Sequence, residues 1–339
     1  MGILAEIAQQ TGVSASTVFR VLNGHVSKSL PTDVKDRILE GGARLGYQPR
    51  TRARTTPANQ GGKVAIIGMN SEESDKNIPF FHNLTVGIQK ELSARGVSVD
   101  DFRVVWSDSI QSYRDFEYCG KIIVLGHNAE AAKFFSTTDC QVLFVAASPN
   151  PQRFPAVVVD HPGGTRLAIK HLQSLGYAQI GYFGHADEPD DALSRFCAFE
   201  YVLTKERIYD PRFVDLGGDW TARSGFEMAQ NAVSTGIVAR SYFVANDPMA
   251  IGAISGFTSC GLRVPEDVAI VGFDNIDMAL YTQPPLTTVD DRADQCAYLA
   301  VELIMGGLGS TLPLVQLTVP TSLIVRETCG CLLQAVVKT

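Results

Sequence analysis

The hydrophobic rhythm of the chain changes once, near residue 60. From Lys63 onward, short apolar runs alternate with amphipathic stretches. The runs "VAIIGM" (64–69), "FRVVWS" (102–107), "KIIVLGH" (121–127) and "QVLFVAAS" (141–148) form one set. The runs "AVVVDH" (156–161), "QIGYFGH" (179–185), "SYFVAND" (241–247) and "DVAIVGFDN" (267–275) form a second. Val, Ile and Phe without polar alternation predict parallel strands covered on both faces. The segments 83–95, 163–176, 221–236 and 248–261 read as helices between them. Two βα sets in series predict an α/β body of two doubly wound lobes.

Ahead of this body the period is helical throughout. In "LAEIAQQ" (4–10), Leu4, Ile7 and Ala8 share one face, and Gly12 stops the helix. Ser14 stands where a cap is wanted, with Val18, Val21 and Leu22 following at helical spacing until Asn23-Gly24. A third helix is expected from Thr32-Asp33, burying Val34, Ile38 and Leu45. Three short helices with a tight turn between the first two predict a helix-turn-helix. In that geometry the start of the second helix enters the major groove, where short side chains let the backbone come close. Ala15, Ser16 and Arg20 are then placed at base edges, and Ser14, Thr17 and Asn23 at phosphates.

Charge sharpens the picture. Residues 1–60 carry eight Lys and Arg against four acids, a balance of +4, which leaves −11 for the remainder of a chain whose total is −7. A cationic head on an acidic body suits a polyanionic partner met by the head alone. The 339 residues, 45% hydrophobic and 19% charged, exceed one ordinary core and exclude disorder. Seven cysteines without a CxxC pair or zinc spacing read as thiols in a reducing compartment. The opening "MGILAEIAQQ" lacks a secretory pattern and no run is long enough to span a bilayer, so a cytoplasmic protein with no membrane partner is expected.

The segment "IAQQTGVSASTVFRVLN" (7–23) resembles the helix-turn-helix of the lactose repressor family (LacI/GalR). Phe19 replaces the family's usual serine, and Ile3 stands where a capping Thr or Ser is expected. "LGYQPRTRARTT" (45–56) resembles the family's hinge, which folds on operator DNA and inserts paired leucines in the minor groove. Here Ala53 and Arg54 match, whereas Thr56 takes the place of the leucine wedge, and a threonine unstacks bases less readily than a leucine. Arg50, Arg52 and Arg54 remain suited to phosphates and the groove floor.

The body resembles the same family over "VDHPGGTRLAIKHLQSLGYAQIGYFG" (159–184), "FVANDPMAIGAISGFTSCGLRVPEDVAIVGFDNID" (243–277) and "PPLTTVDD" (284–291). The resemblance implies a periplasmic-binding-protein-like type I body with the effector between its lobes. It assigns effector contacts to Arg195, Asn246 and Asp274, joined by an aromatic of the first lobe such as Phe80. Guanidinium, amide and carboxylate can each pair with neighbouring hydroxyls, as a polyol requires. Trp220, in "GGDWTARSGFE" (217–227), matches a tryptophan of galactoside-responsive relatives and offers a sugar-stacking face. Against a galactoside, Ala146 stands where sugar-binding relatives often have aspartate, and Ala293 replaces an aromatic.

The expected organisation is a DNA-binding head at 1–48 and a hinge at 49–62. A first lobe follows from 63–160 and 291–319, and a second from 161–290 and 320–339. The expected partners are double-stranded operator DNA, a galactoside effector and a second copy of the chain. A tetramer is not expected, because "ETCGCLLQAVVKT" is too short for three heptads. A purine or another sugar is the alternative effector, and a transport-type sugar receptor the rival class. No catalytic, metal or cofactor motif is visible, including GxGxxG, Walker, GxSxG and HExxH patterns, so an enzyme is not expected.

Overall fold

The computed structural model describes residues 3–14, 17, 18, 21, 32–44, 63–68, 79–98, 102–106, 119–185, 194–306 and 314–332. The chain divides into two compact units, Met1–Gly61 and Gly62–Thr339.

In the first unit, helix α1 spans Ile3–Thr11 and α2 spans Thr32–Arg44, with Thr17, Val18 and Val21 helical between them. Gly12 turns the chain at φ +72°, a conformation that costs glycine little. Ser14 then caps the next turn, its Oγ accepting from Thr17 N at 3.2 Å. Ile7, Val18, Val21 and Ile38 form the core, with Ala8, Val13 and Val34 against it. Arg37 ties α2 to α1 by donating to Gln10 O at 2.9 Å. Leu45, Ala15, Ser16, Arg20 and Asn23 lie outside the described residues, as do Arg50, Arg52, Ala53, Arg54 and Thr56 of the hinge.

The second unit holds two six-stranded sheets. The first contains β1 (Val64–Gly68), β2 (Phe102–Trp106), β3 (Lys121–Leu125), β4 (Gln141–Val145), β5 (Ala156–Val159) and β11 (Gln316–Val319), ordered β11-β5-β4-β3-β1-β2. The second contains β6 (Ile180–Phe183), β7 (Val214–Asp215), β8 (Ser241–Val244), β9 (Ala269–Phe273), β10 (Thr287–Asp290) and β12 (Ser322–Ile324), ordered β12-β10-β9-β8-β6-β7. Pairing is parallel except between β10 and β12.

The unbroken apolar runs follow from burial on both faces. Val64 and Ile66 enter one core of the first sheet while Ala65 and Ile67 enter another. Tyr242 and Val244 are likewise separated from Phe243 in the second sheet. Covering helices include α3 (Pro79–Ala94), α4 (Ala129–Phe135), α5 (His161–Ser174), α6 (Arg195–Lys205), α7 (Ala222–Thr235), α8 (Asp247–Ser259) and α9 (Ala293–Met305). The chain passes from one sheet to the other three times: between β5 and α5, between β10 and α9, and between β11 and β12.

Helices α7 and α8 meet backbone to backbone. A Cβ at Gly252 would lie 1.8 Å from Ala222 O, and one at Gly225 would lie 2.0 Å from Met249 O. Only hydrogen at these positions permits that separation. The contact matters for the site because Trp220 precedes the Thr221 cap of α7 and Asn246 caps α8.

Candidate functional site

Ligands of doubly wound sheets are received beyond the carboxyl ends of the strands. In the second sheet these ends carry His185 after β6, Asn246 after β8, Asp274 after β9 and Asp291 after β10, with Asp160 and His161 arriving from β5. Arg195 opens α6 beside them, held by the Ser194 cap, whose Oγ accepts from Cys197 N at 3.0 Å.

Arg195 is the centre of the cluster. Its Nη2 lies 3.5 Å from Asp274 Oδ1 and 3.4 Å from His161 Nε2, and its guanidinium carbon lies 4.4 Å from the Phe273 ring centre and 5.6 Å from that of Trp220. His185 stacks on Trp220 at 5.7 Å with the planes 24° apart. The aromatic surroundings desolvate the charge without satisfying it, and Arg195 Nε is buried with no acceptor among the described residues. The 3.5 Å separation from Asp274 exceeds that of a tight charge-assisted hydrogen bond. Both groups therefore retain capacity to pair with a ligand's hydroxyls.

Burial sets the protonation states. Desolvation pushes Asp274 up to about 7 although Arg195 works against it. Asp291 is raised by burial and then by the charge of Asp274, while His161 is lowered well below the ordinary imidazole value by burial and by Arg195. A neutral His161 can accept from the guanidinium, provided its proton is on Nδ1. The backbone is strained at the same places: Asp274 and Asn275 have φ of +107° and +54°, Trp220 +69° and Ala146, after β4, +71°. Positive φ in non-glycine residues is held only where the surroundings over-determine it, as at binding sites.

Of the residues singled out in the sequence, Arg195, Trp220 and Asp274 are in this cluster. Asn246 adjoins it, but its amide is engaged at both ends: Oδ1 accepts from Met249 N at 2.9 Å and Nδ2 donates to Trp220 O at 2.9 Å. It caps α8 and fixes the Trp220 backbone. Phe80 packs into the core of the first lobe, with Phe81 edge-on at 5.2 Å. In the head, Ser14 Oγ and Thr17 Oγ1 lie 2.9 Å apart, so one hydroxyl proton is used within the pair.

Asp247 is marked in the sequence only as a residue just past a strand, and Asp291 is not marked at all. Asp247 is fully buried and accepts from Thr288 Oγ1 at 2.6 Å and Ile276 N at 3.0 Å, tying the loop after Asp274 to β10. Its carboxyl is raised well above the usual range by burial and by Asp274. The "AND" triplet marked the position, but only long-range pairing reveals its work.

These shifts fix a pH response. Asp274 binds its proton more tightly folded than unfolded, where a carboxyl titrates near ~3.9. Its stabilising contribution is thus complete below about pH 4 and is lost as pH rises toward 7. Asp247 and Asp291 share that sign. In urea unfolding across pH 4–8, Asp274→Asn is expected to flatten the decline in stability approaching pH 7; an unchanged slope would refute the assignment.

An arginine–carboxylate–tryptophan cluster at the strand ends of a two-sheet body, in a chain with a helix-turn-helix head, defines a ligand-responsive regulator of the periplasmic-binding-protein-like class. A periplasmic binding protein-like domain model matches residues 169–329. The HTH-type transcriptional repressor MelR of Bacillus subtilis is 30% identical, with 97% of both chains covered. The lactose operon repressor of Escherichia coli is 28% identical over 96% of this chain and 90% of its own length. A crystal structure of the lac repressor dimer bound to operator and the anti-inducer ONPF superposes with a TM-score of 0.66 at 25% identity, covering 95% of this chain and 97% of that one. The chain belongs to the lactose repressor (LacI/GalR) family and is an effector-binding transcriptional regulator.

Proposed function

We propose that the protein is a cytoplasmic, dimeric repressor of a sugar-utilisation operon, released from its operator when a galactoside binds beside Arg195, Asp274 and Trp220. The observation that carries the effector reading is Arg195: a desolvated guanidinium with an unmatched Nε, facing a carboxylate and flanked by aromatic rings. That combination suits a ligand with adjacent hydroxyls and an apolar ring face. The lactose operon named for one relative supports a galactoside. The solved dimer on operator DNA supports two copies, as does an exposed apolar trio here, Met278, Leu280 and Tyr281. No described helix is long and apolar enough to cross a membrane.

Calorimetry of the full-length protein with galactosides, paired with gel shifts on DNA upstream of its own gene, tests the proposal. Asp274→Asn is expected to weaken sugar binding by about 1.5–3 kcal/mol, the range for a hydrogen bond to a charged group. Trp220→Ala should also lose affinity, while both variants still bind operator. Wild-type sugar affinity in both variants removes these residues from the pocket. Binding of a purine but no sugar overturns the galactoside reading.

A further inference from the structure

Near the C-terminus, Cys329 and Cys331 converge on one oxygen. Their Sγ atoms lie 3.6 Å and 3.1 Å from the carbonyl of Arg326, and Gly330 between them folds the chain back at φ +77°. The segment is firmly anchored. Thr328 Oγ1 donates to Ile270 O at 2.7 Å and accepts from Thr287 N at 2.9 Å, joining it to β9 and β10. Arg326 donates to Leu286 O and to Asn275 Oδ1, both at 2.7 Å, and so reaches the loop after Asp274.

The two thiols differ in access. Cys329 is fully buried, whereas Cys331 is half-buried at the edge of the same core, against which Leu175 and Tyr177 also pack. Leu175 and Tyr177 also line an open depression of about 560 Å³, completed by Gly176, Ala178, Gln179 and Arg240. The Arg240 cation at its rim suits the carboxylates of a small polar disulfide, on the same lobe as the two thiols. One half-buried sulfur backed by one fully buried sulfur, two residues apart on an anchored turn, is the arrangement of an attacking and a resolving thiol.

We propose that Cys329 and Cys331 form a dithiol–disulfide site oxidised by low-molecular-weight disulfides of the glutathione class. The Cys331 thiolate attacks one sulfur of the oxidised tripeptide, its S–S bond breaks, and one tripeptide thiolate leaves. The Cys329 thiolate then attacks Cys331 Sγ and expels the second. The dithiol loses two electrons and two protons, and the incoming disulfide gains them as two thiols.

Reduced full-length protein would be incubated with oxidised glutathione, denatured, alkylated and peptide-mapped by mass spectrometry. The expected product is a peptide with Cys329 and Cys331 both closed to alkylation, two hydrogens lighter than the dithiol and reopened by dithiothreitol. In Cys329→Ser the reaction is expected to stop with one tripeptide retained on Cys331. A wild-type chain whose two thiols stay open to alkylation while exposed Cys260 reacts, or in which either sulfur pairs elsewhere, overturns the proposal.

Discussion

Gly252→Ala is expected to destabilise the body by about 1–2 kcal/mol net and to weaken effector binding with it. Alanine gains about 1 kcal/mol over glycine in helix propensity. That gain is outweighed, because the new methyl meets Ala222 O at 1.8 Å and no rotamer relieves a clash with backbone. Helices α7 and α8 must separate, at an overpacking cost of about 1–3 kcal/mol or more, with their interdigitated core loosened as well. The separation also pulls Trp220 from Asn246, whose 2.9 Å hydrogen bond spans the two helix starts. Urea unfolding and sugar calorimetry measure both effects. Ser255→Ala, on the exposed face of α8, serves as the control and should stay within about 0.5 kcal/mol of wild type. Equal stability of the two variants would show that the helices do not meet as described.

Arg20→Ala is expected to abolish specific operator binding while leaving sugar binding intact. A base-contacting arginine contributes about 1–3 kcal/mol of discrimination. On a two-fold operator each dimer loses the contact twice, so about 2–6 kcal/mol is at stake, a factor of roughly 30 to 10⁴. Gel shifts on operator and random DNA measure the loss. Operator affinity of the wild type should also fall steeply with salt, with a log–log slope of about −0.9 for each phosphate neutralised. Parallel loss of sugar binding in Arg20→Ala would contradict a head and pocket that work as separate modules.

The eight apolar runs read from the sequence correspond to β1–β6, β8 and β9, because strands buried on both faces announce themselves locally, but the run at 156–161, grouped with the second set, is β5 of the first sheet, where it pairs with β4 and β11. Strands β7 and β10–β12 did not announce themselves. Thr287 and Thr288 look like a polar turn until β9 and β12 are seen to pair on either side of them. The helix predicted at 83–95 begins earlier, at Pro79, whose fixed φ and missing N–H suit a first turn. Arg195 and Asp274 were legible through the family motif, and Asp274 also through its place at a strand end. His161 and Asp247 were legible only as residues just past strands; their work lies in partners 34 and 41 residues away, and that of Asp291 in its burial, which no local pattern records.

The three passages between the sheets lie side by side. Two are tied together where Asp160 N donates to Val319 O at 2.9 Å, and a third turns at Arg292 with φ +58°. Adjacent short tethers oppose sliding and stretching of one lobe against the other but scarcely oppose rotation about their common line. Mechanically the body is a lever with its fulcrum at these crossings. A ligand held by Arg195 and Trp220, as proposed, would act at a distance from that axis, where a sub-ångström adjustment becomes a larger sweep at the far rim of the lobes.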